Sequence, residues 1–396
     1  MIIVEILKGL TGLGAVITAI VAVVKFFNDQ KETRKEKIEQ RFNELTKRAS
    51  SSFLLELINA ISVLPIFAEN KKIKEKFKSL NDYYDEFNRK CVYLNETIDI
   101  IFNLLISNAH NTINVNDEIR KQIDGVCGEA ISKITHKTLK MVNNKPTSYI
   151  KVHNRILNNI SLPYVYLKGS NFQNAKLSKT DFHKADFSYC NLSETKLNNA
   201  NLHKAKFNYS NLSKADLSNA FINQYGDITE EAVFEKTVLE EVLFKKTLME
   251  DLKFFDCNFH CTELDEAKAK FSKFINCNLT RIDCYKSDLQ DIEFNNCDFK
   301  EAAFIRCDLS GAKFVSGKNF EEITLKDSNI WAVKFVKFDI SKIIFTNCIC
   351  DENWYKENKS KINNYAFEKI ATAEEIERLI AIYPSLEHAN NIGYLR

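Results

Sequence analysis

Three hydrophobic patterns follow one another along the chain. From Gly9 to Val24 (GLTGLGAVITAIVAVV) no residue is charged, and apolar Met1 to Val4 and Phe26-Phe27 extend the run. From Asp29 to about Met141 apolar residues recur with a helical period, as in the stripe Ile38, Phe42, Leu45, Ala49, Phe53, Leu57 and Ile61. Pro65 ends that stripe, and further helical runs are predicted over Tyr93–Ser107 and Ile119–Met141. From Val165 the period changes to five. Its central positions are Leu167, Phe172, Leu177, Phe182, Phe187, Leu192, Leu197, Leu202, Phe207, Leu212, Leu217 and Ile222.

Two residues before each centre stands a smaller side chain, including Ser170, Ala175, Thr180, Ala185, Cys190, Ala200 and Ala215. Asn, Asp or Lys separates the two in most units, as in Ala185-Asp186-Phe187. After Asn223 to Asp227 the period resumes at Phe234, two residues out of phase, and runs to Phe314. It slips once more, by one residue, and continues from Leu325 to Cys350. A repeat of this length is read before any finer feature.

The unit resembles the pentapeptide-repeat family, whose pattern is A-(D/N)-L-x-x, over roughly residues 162–350. The resemblance implies a right-handed quadrilateral β-helix in which each pentad makes one side and four make a coil. Packing agrees: a large residue beside a small one fills a square interior, while the other three positions of each pentad face solvent. Residues twenty apart then stack, placing Cys257, Cys277 and Cys297 in a buried ladder and His183 with His203 in an exposed one. The predicted fold is α+β, with a transmembrane anchor over 1–27, a helical stalk or bundle over 28–150, the β-helix over 160–350 and a helical cap over 351–396. Asn143 to Pro146 (NNKP) reads as a hinge into the solenoid. At the far end, Thr372 and Glu375 form a capping box before an apolar stripe that Pro384 stops. That helix, with Trp354 and Tyr355, is expected to cover the last coil, because an open solenoid end invites edge pairing.

The uncharged Gly9–Val24 segment would span about 24 Å as a helix, against a hydrocarbon core of about 30 Å. A membrane span is the reading adopted over a signal peptide, since Glu5 precedes it and no A-x-A site follows. It is preferred to a buried soluble helix too, because it has almost no polar face. Lys31, Arg34, Lys35, Lys37 and Arg41 follow the span, so the positive-inside rule keeps the C-terminal bulk in the cytosol. The expected location is the inner (cytoplasmic) membrane, single-pass. Thr11, Ala15, Ala19 and Ala22 lie on one face of that helix, as side chains that permit close helix approach do.

Composition sharpens this picture. The chain has 11 Cys, and six of them (Cys190, Cys257, Cys277, Cys297, Cys307, Cys348) occupy the small position of the repeat. That is the usage of a buried hydrophobe in a reducing compartment; no CxxC pair exists, and no metal or cofactor site is expected. No nucleophile elbow, HExxH or phosphate loop appears, which argues against an enzyme. Some members of the family mimic duplex DNA and inhibit topoisomerases, a role that needs an acidic rod. Here residues 165–222 carry 8 Lys against 4 acids, and 227–350 carry 17 basic against 23 acidic residues, so the charge is divided. Nucleic acid is an improbable partner.

The expected function is therefore a membrane-anchored scaffold or adaptor that presents the solenoid to a cytosolic protein. Its candidate binding loop is Gln224, Tyr225 and Gly226, at the first break. The alternative is an oligomerising, membrane-disrupting effector in bacterial defence, assembled through Thr11, Ala15, Ala19 and Ala22. A DNA mimic acting on a topoisomerase is the minor alternative.

Overall fold

The computed structural model describes residues 73, 75–90, 94–110, 116–223, 233–319, 321–346, 348–350, 352–362 and 367–368. The anchor segment, most of the stalk, the Gln224–Gly226 loop and the Thr372–Ile382 helix lie outside these residues. No helix among the described residues is long and apolar enough to cross a membrane.

Among the described residues, a short strand at Lys76–Phe77 precedes three helices: α1 (Leu80–Lys90), α2 (Leu94–Ala109) and α3 (Asp117–Thr138). Asn116 caps α3 by accepting a hydrogen bond from the Ile119 amide at 2.9 Å, with Asp117 and Glu118 in the first turn beside the positive helix end. The helical spacing of Ile98, Ile101, Phe102 and Leu105 buries that face of α2, and Ile123, Cys127, Ala130, Ile131 and Ile134 bury one face of α3. The two predicted helical runs thus exist, with α3 ending three residues earlier than its apolar pattern. It ends where the Tyr83 hydroxyl donates to the Thr138 carbonyl, 2.7 Å away.

The expected hinge is instead a tight corner. Asn143 and Asn144 both take positive φ (48° and 61°). They join β2 (Lys140–Val142) and β3 (Lys145–Thr147) in an antiparallel hairpin, which requires left-handed geometry at both turn residues. β1 (Lys76–Phe77) pairs parallel with β2. The hairpin abuts the solenoid at Gly169 (φ +72°), where a Cβ would stand 2.7 Å from the Pro146 carbonyl oxygen. Only glycine admits that approach.

The solenoid opens at Lys151. Parallel bridges link residues twenty apart, and one ladder runs Lys151, Asn171, Asn191, Asn211, Val238, Asn258, Asn278, Asp298 and Lys318. Further ladders start at Ile156, Ser161 and Tyr166 before the first recurs, so each coil has four sides. Sequence reading began this domain later because its opening units lack the small residue. Ile150, Arg155 and Ile160 stand there instead, and Arg155 turns to the helices, pairing with Asp99 and lying over the Phe102 ring. Helices and solenoid consequently share one continuous core.

The two slips of phase are measurable insertions. Asn211 pairs with Val238 and Phe221 with Leu248, a separation of 27, so seven extra residues leave the coil at the first break. Asp308 pairs with Asn329 and Lys313 with Lys334, a separation of 21, so the second break inserts one. Beyond the first break two sides become sheets that continue past the second, one of six parallel strands from Val233–Glu235 to Lys334–Val336 and one of four from Asp283–Tyr285 to Ile343–Thr346. At the end, Trp354 of α4 (Glu352–Asn358) packs its ring 6.2 Å from Phe335 and 6.0 Å from Phe345. Phe367–Glu368 adds a strand beside Cys348–Ile349. Tyr355, expected to cover the last coil with Trp354, points outward and is 38% exposed.

Candidate interaction surface

The repeat assigns every side chain a direction. Phe172, Leu177, Phe182, Phe187, Leu192, Leu197, Leu202, Phe207, Leu212 and Leu217 all have no exposed surface. Their aromatic members stack coil on coil, Phe187 against Phe207 at 5.4 Å and Phe207 against Phe234 at 5.0 Å. An interior so filled leaves chemistry to the outside.

The small inward position does more than occupy space. The side chain there donates a hydrogen bond to a backbone carbonyl. Thr180 and Thr195 donate to the carbonyl three residues back, each at 2.7 Å. Cys257, Cys277 and Cys297 donate from Sγ to the carbonyls of Phe234, Phe254 and Phe274 in the preceding coil, at 3.3, 3.5 and 3.3 Å. Ser272, Thr262, Cys307 and Cys348 do the same. Cys, Ser and Thr are thus interchangeable as small donors, a role the apolar reading of these cysteines missed; their shared place in the repeat was the available signal. Burial raises the Cys277 thiol, with its stacked neighbours Cys257 and Cys297 adding to the effect, and pushes Cys307 up to about 12. Such thiols are protonated at neutral pH, whereas metal ligation and nucleophilic attack need the thiolate. Among the described residues no group of three or more His, Cys, Asp or Glu could hold a metal ion.

The exposed histidine ladder is corrected by the second layer above it. His183 and His203 do stack, 5.2 Å apart and 13° from parallel, but His203 is only 9% exposed. The Phe221 ring covers it, parallel and 4.9 Å away. Tyr164 meets the other side of His183 edge-on at 5.3 Å and is itself 65% exposed. One corner of the first coils is thus a column of rings, Tyr164, His183, His203 and Phe221.

The next corner carries a second column. Tyr189 and Tyr209 stack at 4.8 Å within 2° of parallel. Cations sit over both columns, with Lys184 5.5 Å from the Tyr164 ring, Lys168 5.2 Å from Tyr189 and Lys236 5.5 Å from Tyr209. The Tyr209 hydroxyl donates to Glu235 at 2.8 Å, which holds the phenol above its ordinary range because ionising it would lose that bond. Between the columns, Tyr166 stacks on His136 of α3 at 3.9 Å, and its amide donates to Ser132. Sequence reading named only the two histidines here. The twenty-residue recurrence of Tyr189 and Tyr209 would have identified the second column.

A different chemistry lies at the seam between α3 and the solenoid. Asp124 accepts from Asn108 Nδ2 at 2.7 Å, and Arg120 donates to the Asn108 carbonyl at 2.9 Å. Burial, with the charge of Asp181 on the solenoid, raises the Asp124 carboxyl to about 6, although Asn108 and Arg120 pull it down. Of the remaining sequence-predicted positions, Thr11, Ala15, Ala19, Ala22, Gln224, Tyr225 and Gly226 lie outside the described residues.

Comparison with known proteins matches a family profile described as pentapeptide repeats, in eight copies, to residues 157–188, 185–224 and 277–314. No curated protein matches. Among solved structures, HetL of the cyanobacterium Nostoc, involved in heterocyst differentiation regulation, is 20% identical with a TM-score of 0.31, over 50% of this chain and 90% of HetL. QnrB1, a plasmid-mediated fluoroquinolone resistance protein, is 14% identical with a TM-score of 0.28, over 52% of this chain and 95% of its own. A protein of the Arabidopsis thaliana thylakoid lumen is 24% identical with a TM-score of 0.20, over 24% of this chain and 63% of its own.

Proposed function

As a pentapeptide-repeat protein this chain carries its working groups outside a closed rod, and we propose that it is a membrane-anchored scaffold that binds a cytosolic protein. The observation that carries this reading is the pair of ring columns on the first coils. Tyrosines rigidly stacked with lysines above them supply large contact area at little entropic cost, which is what protein interfaces favour. The protonated, buried thiols, which are poor nucleophiles, support binding over catalysis.

The anchor half of the proposal rests on the uncharged Gly9–Val24 segment and the cations after it. A second reading, an oligomerising membrane-disrupting effector, is favoured by the small-residue face of Thr11, Ala15, Ala19 and Ala22. The DNA-mimic reading has less support, because lysines dominate the first coils. The test is co-purification from detergent-solubilised membranes with wild type and with Tyr164→Ala/Tyr209→Ala. Both side chains are exposed, so the variant should fold normally while losing the partner. A partner retained at wild-type level in the folded variant would move the binding surface elsewhere.

A further inference from the structure

The six-stranded sheet from Val233–Glu235 to Lys334–Val336 turns a second, different surface outward. In each strand the central Phe, such as Phe254, Phe274 or Phe314, points into the core. The residues on either side of it therefore point out. Register is unbroken: Lys253 pairs with Lys273, Lys273 with Glu293, Glu293 with Lys313 and Lys313 with Lys334. From Lys253 onward, after Val233 in the first strand, one outward row is thus four lysines and a single glutamate. The row beside it begins at Glu235 and then contains Phe255, Ile275, Val315 and Val336, interrupted by Asn295.

These rows form a lattice about 4.8 Å by 6.6 Å, from strand spacing and the rise of two residues. Lys273 is 46% exposed and pairs with Glu293 at 3.8 Å; Lys313 and Lys334 are exposed, and Val336 is 44% exposed. Cations in line beside a largely apolar strip, on one face of a parallel sheet, match an anionic surface bearing an apolar layer beneath. An acidic polypeptide would meet the lysine row but would leave the apolar strip beside it without a partner.

We propose that this sheet face binds an anionic phospholipid bilayer, with the lysines on headgroups and Phe255, Ile275, Val315 and Val336 pressed toward the acyl boundary. The solenoid would then lie along the membrane, leaving the ring columns of the first coils at its rim. The inference rests on the anchored-scaffold reading only for the leaflet that the face would meet. Each juxtamembrane cation strengthens binding about fivefold, and salt weakens it.

The test uses the full chain with vesicles of phosphatidylcholine alone or mixed equally with phosphatidylserine. Lysine acylation is mapped by mass spectrometry. Labelling at Lys253, Lys273, Lys313 and Lys334 should slow several-fold on the anionic vesicles, relative to Lys246 and Lys326 on another side. Protection should fade in high salt, and at Lys253, the reporter that remains, it should vanish in Lys273→Glu/Lys313→Glu/Lys334→Glu. A single Val336→Asp variant, at an exposed position, provides the same check if the triple variant melts early. Equal protection by both lipids, or protection that persists in the folded variants, would overturn the proposal. Protection by polyglutamate but not by anionic vesicles would overturn it in favour of an acidic polypeptide. Flotation separates the two readings: a chain that ignores phosphatidylcholine but floats with the anionic mixture keeps this face and loses the anchor.

Discussion

Turning a corner every five residues with only 10 Gly in the chain puts ordinary side chains into the left-handed region. Lys179, Glu194, Tyr209 and Lys214 sit there with φ between 58° and 61°. In the first coils the Phe172 carbonyl accepts from the Ala175 amide at 2.9 Å, with positive φ at Asn174, the geometry of a type II turn. A β-branched residue tolerates that position poorly. Lys179→Val is expected to cost about 1–2 kcal/mol although the side chain is exposed, whereas Gln173→Val, at the preceding turn position type, should stay within about ±0.5 kcal/mol. Urea melts of both variants check this, and equal losses would contradict the turn assignment. Inside the coil, Phe207→Asp should abolish cooperative unfolding, since it places a carboxylate where no surface is exposed and rings stack on both sides. Lys206→Ala, one residue away and exposed, should melt with wild type. Circular dichroism distinguishes the pair.

At the scale of elements, the helices were legible from apolar spacing, but the seam they make with the solenoid was not. Nothing in the sequence near Asp124 names Asp181 as its neighbour, because 57 residues separate them and only the fold brings α3 onto the coils. The consequence is a pH dependence of definite sign. The folded carboxyl is raised from 3.8 to about 6, so the folded state holds the proton more tightly than the unfolded chain does. Its favourable effect is present at low pH, declines as pH rises from about 4 to 6, and is absent above, where a charge is held in a partly buried place. Asp124→Asn preserves the shape and the acceptor for Asn108. It should melt with wild type near pH 3 and be more stable at pH 7, on the order of 1 kcal/mol after allowance for solvent screening. Thermal melts at the two pH values decide it. The hairpin at Asn143-Asn144 carries a similar lesson: two turn-forming residues announced a reversal, and only the contact of Pro146 with Gly169 made it rigid.

For the whole molecule, the decisive questions concern the membrane. Full-length chain should stay with membranes through carbonate extraction, and removal of residues 1–27 should make it extractable by carbonate. Full-length protein that stays soluble without detergent would refute the anchor. Ala15→Leu/Ala19→Leu keeps the segment hydrophobic while blocking close helix approach. Under the scaffold reading, neither wild type nor this variant perturbs the membrane potential on overexpression. Under the effector reading, wild type depolarises the membrane and the double variant does not, which a potential-sensitive dye would report.

The sequence by itself determined the solenoid, because the interior of a closed coil imposes one local rule at every fifth residue. Phe172, Leu192 and Phe254 satisfy that rule without reference to distant residues. Both breaks were visible as slips of phase, since an insertion that is not a multiple of five shifts every later position. Its length was ambiguous: a slip of two is also a gain of seven, and the pairing of Phe221 with Leu248 resolved it. Tertiary structure alone decided what stands on the outside. Outward positions obey no packing rule, so the burial of His203 beneath Phe221 and the lysine row of the six-stranded sheet emerge only when coils stack, as does the donor role of the inward Cys277 toward the preceding coil. It also decided where the solenoid begins, since Arg155 breaks the repeat pattern to meet Asp99 and Phe102, which a five-residue period cannot foresee.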